Sequence, residues 1–125
     1  MLTGTIKTLD GEAVKSGVAF TPVIASGGTY YPICRHFFED NNNGVIAVCK
    51  AFGFSSGMFA HKERVNEKLH AMQVGTCKVG EFKLDKCTGG GNHFGDLNVN
   101  NGHCHKGNWV VVEVTCSGAK RIHLP

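Results

Sequence analysis

Hydrophobic and polar positions alternate in short runs along this chain, and the runs are separated by glycine and asparagine. Thr3 to Leu9 is rich in β-branched residues and ends at Asp10-Gly11, which predicts a strand followed by a tight turn. Gly17 to Thr21 and Tyr30 to Cys34 read as two further strands, divided by Ser26-Gly27-Gly28. Pro32 places the second of these at a sheet edge or strand start. After the polar stretch Glu39 to Gly44, whose asparagines are good N-caps, the period changes. Val45, Val48, Cys49 and Phe52 recur at i, i+3, i+4 and i+7, one face of a helix that Gly53 is placed to stop. Phe54 to Val74 reads as loop, with room for a short helix in Lys62 to His70. Between Cys77 and Cys87 a compact loop is expected, with one helical turn in Glu81 to Lys86. Thr88 to His103 is too rich in glycine and asparagine for anything regular. Trp109 to Thr115 is the clearest strand, apolar on both faces and therefore covered on both; Trp109 itself reads as a core residue.

Short strands and one helix predict an α+β fold, and 125 residues suit one domain with a modest core. Only 18% of residues are charged and 17 are glycine, a balance unlike disordered or coiled-coil chains. No apolar run approaches the roughly 20 residues of a membrane span. The opening residues also lack the pattern of a signal peptide, so the chain reads as one piece of a larger multidomain protein. Six cysteines, Cys34, Cys49, Cys77, Cys87, Cys104 and Cys116, can supply the stability that a modest core lacks. None stands in C-x-x-C spacing, so disulfides are favoured over zinc, and an oxidising compartment over the cytosol. From spacing alone every connectivity stays open.

Net charge is +3, with seven histidines to raise it as pH falls. The basic groups lie at Lys62 and Arg64, at Lys78, Lys83 and Lys86, and at Lys120, Arg121 and His123. No basic and aromatic residues alternate as a nucleic-acid platform requires. His93, His103, Cys104 and His105 carry zinc-ligand chemistry, but neighbours in an extended chain point apart, and a disulfide would take the thiolate. A cysteine nucleophile needs a free thiol that an even, paired set does not leave.

The order of the pieces resembles the scavenger receptor cysteine-rich domain. Tyr31-Pro32-Ile33-Cys34 and Val48-Cys49-Lys50-Ala51-Phe52-Gly53-Phe54 are similar to the family's G-T-V-C and V-V-C-R-Q-L-G-F segments. Cys77 to Cys87 is similar to its C-x-G-x-E-x-x-L-x-x-C loop, with Glu81, Leu84 and Cys87 in step and the glycine one place late. Gly102-His103-Cys104, His105 and Val110 to Cys116 resemble its N-C-x-H and G-V-V-C ending. The likeness runs from about Gly4 to Cys116, and six cysteines match the group A members. It implies Cys34 paired with Cys104, Cys49 with Cys116 and Cys77 with Cys87. It also implies one curved antiparallel sheet cradling the helix, with long loops. The second bond would then staple helix to last strand, and the first would tie the edge strand to the glycine-rich loop.

Departures from the family narrow the expected chemistry. Many members place two aspartates after the first of these cysteines and a glutamate after the fifth, forming a cation site; here Arg35, His36 and Asn108 stand there or nearby. Replacing hard oxygen ligands by a cation and an imidazole removes the charge that holds calcium, so no metal or other cofactor is expected; the alternative is that Glu39 and Asp40, a few residues on, substitute through a shifted loop. The resemblance implies a non-enzymatic recognition or adhesion domain of a secreted or cell-surface protein. Its expected partners are a protein or polyanionic ligand and the other domains of its parent, with no nucleic acid and no membrane insertion. Arg35, His36, Lys78, Lys83 and Lys86 are the candidate ligand contacts. The alternative is a structural module that assembles its parent and binds no external ligand.

Overall fold

The computed structural model describes residues 6–60, 70–91, 93–97, 104 and 111–118. The expected helix 62–70 falls almost wholly outside them, as do Trp109, His103, His105, Asn108, Lys62, Arg64 and the basic residues of the tail.

Strand β1 (Ile6–Thr8) pairs antiparallel with β2 (Pro22–Ser26), and β2 pairs antiparallel with β3 (Thr29–Pro32). Gly27 and Gly28 join β2 to β3 with φ of 61° and 85°. Positive φ at both central residues is what a tight two-residue hairpin needs, and glycine supplies it without strain. Ile6 and Ile24 face each other in this ladder and enter the core. A second sheet pairs β4 (Ser56–Phe59) antiparallel with β5 (Val114–Ser117).

Three expectations are corrected here. Gly17–Thr21 is not a strand: Gly17 turns at φ 77°, and Phe20 alone bridges Val114 before regular pairing begins at Pro22. The described strands also form two small sheets rather than one curved sheet. From the Phe20 bridge the next facing pair would be Pro22 with Val112. Proline has no N–H to donate, and the Val112 N–H is already given to the Ile33 carbonyl at 2.9 Å, so the ladder stops. Ser56–Phe59 was expected as loop and is a strand instead. Its signal is weak because Gly57 replaces a side chain: a Cβ there would lie 2.4 Å from the Cys49 sulfur.

Helix α1 (Asn43–Ala51) matches the periodic face. Val45, Val48 and Cys49 are fully buried, and Phe52, just past the end, meets Phe20 edge-to-face at 5.4 Å. Gly53, at φ 91°, donates to Lys50 and closes the last turn. The N-cap position belongs to Asn42, but its amide donates to the Gly57 carbonyl at 2.8 Å instead of capping the helix. Asn41 accepts from the Asn43 N–H at 2.9 Å. Asn41 therefore closes the helix start locally, while Asn42 ties it to β4.

The core combines the helix face with Ile6, Ile24, Ile33, Phe38, Met72, Val74, Val112 and Val114. Glu113 is buried beside these valines and accepts a hydrogen bond from the Thr21 hydroxyl. The three disulfides are Cys34–Cys104, Cys49–Cys116 and Cys77–Cys87, the pairing that the resemblance implies. Cys49–Cys116 joins α1 to β5. Cys34–Cys104 packs in a small satellite cluster with Ala71 and Val111.

Candidate functional site

The Cys77–Cys87 loop is built from its base outward. At the base, Gly75 donates to the Cys87 carbonyl at 2.7 Å, and Thr76 and Gly89 exchange hydrogen bonds across a bridge. A Cβ on Gly75 would stand 2.5 Å from that carbonyl, so only glycine permits this approach. The same base is fastened to the segment before the helix. Asn43 and Asn41 donate their amides to the Cys77 carbonyl at 3.0 and 3.3 Å, and Thr76 donates its hydroxyl to the Phe37 carbonyl at 2.8 Å. Phe37 holds φ 64°, a conformation rare for a residue with a side chain, with its ring seated on Gly90.

From this clamped base the loop reaches into solvent. The Lys78 carbonyl accepts from the Glu81 N–H at 3.1 Å, which makes Val79 and Gly80 the central residues of a tight turn. Glu81 folds its carboxylate back on the Lys83 N–H at 3.3 Å. A single 3-10 turn, Leu84–Lys86, then brings the chain home, with buried Leu84 as its anchor. This is the helical turn expected within Glu81 to Lys86. Lys78, Lys83 and Lys86 are all exposed. Val79 is 88% exposed and Phe82 57%.

Arg35 and His36 are placed differently from the lysines. The Arg35 Nε lies 2.9 Å from the Glu39 carboxylate one turn on, and the His36 ring stacks on Phe37 with centroids 4.1 Å apart. Arg35 thus already holds a counter-charge, and both residues sit on the segment that supports the loop base. Glu39 is spent on Arg35, while Asp40 lies 3.5 Å from the Thr76 hydroxyl. Among the described residues no three His, Cys, Asp or Glu side chains are grouped to hold a metal ion. His93 is exposed, and Cys104 is committed to its disulfide. A separate cleft of about 400 Å³ runs between β1, residues 11–14 and Phe52, with Lys7 and Glu12 the charged residues of its lining.

Sequence reasoning singled out the lysines of this loop and passed over Val79 and Phe82. Their signal was present: two apolar residues among three lysines, around a turn glycine, in a segment too short to bury both. All six cysteines are paired, which is compatible with an oxidising, extracellular environment. Among the described residues no helix is long and apolar enough to cross a membrane. No family model, curated protein or solved structure matches the chain.

Proposed function

We propose that this chain is a scavenger receptor cysteine-rich-like, non-catalytic recognition domain of a secreted or cell-surface protein, and that it binds polyanionic ligands through the Cys77–Cys87 loop. One observation carries the reading: three exposed lysines, Lys78, Lys83 and Lys86, stand on a disulfide-closed loop whose base is clamped by Asn41, Asn43 and Thr76. A loop whose base is already clamped loses little backbone entropy when an extended anion settles on it, and its three lysines outnumber its two acids, Glu81 and Asp85, so even modest charge gives usable attraction. Several copies in one parent would multiply that attraction by avidity. Arg35, ion-paired with Glu39, and His36, lying against Phe37, are the lesser contacts in this reading.

The test is retention on immobilised heparin. The wild-type domain should elute at progressively higher salt than K78Q/K83Q/K86Q, and R35Q should elute close to the wild type. Equal elution of the wild type and the triple variant would remove the proposal.

A further inference from the structure

We propose that the Cys77–Cys87 loop docks peripherally on an anionic lipid bilayer, with Val79 and Phe82 entering the headgroup–acyl boundary and Lys78, Lys83 and Lys86 meeting the headgroup charge. The inference rests on the proposed role of this loop as the binding surface and names the partner that its apolar residues fit. Val79 is the first central residue of the tip turn and is 88% exposed; Phe82 is 57% exposed. A sulfated glycan satisfies the lysines but leaves both apolar side chains in water. A bilayer offers anionic groups at its surface and an apolar layer just beneath, which suits a loop carrying exposed lysines together with Val79 at its turn and Phe82, whose other side lines a small pocket with Ile6, Ala51 and Leu84. Lysine stems suit that boundary because their methylenes can lie in it while the ammonium stays wet. Of the two loop acids, Glu81 is turned back onto the Lys83 N–H, and Asp85 stands exposed on the 3-10 turn, so the loop keeps one net positive charge. Both ends of the loop are fastened by buried cysteines and by Leu84, so the tip is presented in one orientation.

The experiment is flotation of the oxidised domain with phosphatidylcholine vesicles, with and without phosphatidylserine, alongside heparin retention of the same samples. The wild type should float with the anionic vesicles, less so as salt rises, and stay behind with pure phosphatidylcholine. V79S/F82S should lose roughly tenfold in vesicle partition while its heparin elution stays unchanged. Each lysine removed should cost roughly fivefold on vesicles, and K78Q/K83Q/K86Q should also lose heparin retention. V79S alone, at the most exposed position, should keep the direction of the effect even if F82S disturbs the packing over Leu84. Vesicle binding unaffected by V79S/F82S, or heparin retention with no vesicle binding, overturns the bilayer; the latter leaves the apolar pair to a protein surface. Vesicle binding without heparin retention overturns the polyanion reading alone.

Discussion

Removing the Cys49–Cys116 disulfide should cost the domain about 4.4 kcal/mol through the freedom returned to its unfolded chain, because the bond spans 67 residues. Cys34–Cys104 spans 70 residues and carries about the same amount, whereas Cys77–Cys87 spans 10 and carries about 2.7 kcal/mol. Packing raises the cost of the long bond further. Cys49 and Cys116 are wholly buried, with the Cys49 sulfur lodged against Gly57, and their replacement by alanine leaves a void between α1 and the β4–β5 sheet. Against a typical domain stability of about 5–15 kcal/mol, C49A/C116A loses a third or more of the total. Urea unfolding of the three double-alanine variants, followed by circular dichroism, measures the order directly. Both long-bond variants should fall below C77A/C87A, and C49A/C116A should melt roughly 15–25 °C below the wild type. A loss under about 2 kcal/mol for C49A/C116A, or a larger loss for C77A/C87A, would show that the long staples do not hold the fold as argued.

Gly57→Ala should cost about 1–3 kcal/mol in the same unfolding assay, since its methyl meets the Cys49 sulfur and the Thr115 carbonyl, while Met58→Ala on the exposed face of that strand should stay within about 0.5 kcal/mol; equal effects would refute the close-approach argument. Thr21→Val, close in shape but lacking the hydroxyl, should cost about 1–3 kcal/mol because the buried Glu113 carboxylate loses that donor, and a neutral result in thermal melts would mean the pair contributes nothing.

Local and short-range features were the legible part of this fold. The helix could be read because Val45, Val48 and Cys49 repeat with its period, and the turn into β3 because Gly27-Gly28 punctuates the chain there, although the local pattern puts the strand before it at Gly17–Thr21 instead of Pro22–Ser26. What failed depends on partners distant in sequence. Pro22–Ser26 opens with a proline, which argues against a central strand until its position as first residue is known. Ser56–Phe59 becomes a strand because β5 lies beside it and the Cys49 sulfur demands a glycine, neither of which a local pattern records. The division into two sheets follows from the absent Pro22 donor and from Ile33 claiming Val112. At the candidate site the lysines were visible as charges, but the Arg35–Glu39 pairing and the exposure of Val79 and Phe82 needed the folded chain.

The central claim, recognition by a stapled cationic loop, is tested most directly by mapping backbone amide shifts of the isotope-labelled domain during titration with a heparin oligosaccharide. The account predicts that the largest shifts fall between Lys78 and Lys86, shrink as salt is added, and leave Lys7, Lys15 and Lys50 nearly still. No saturable shifts, or shifts centred on those other lysines with Lys78 to Lys86 unmoved, would contradict it.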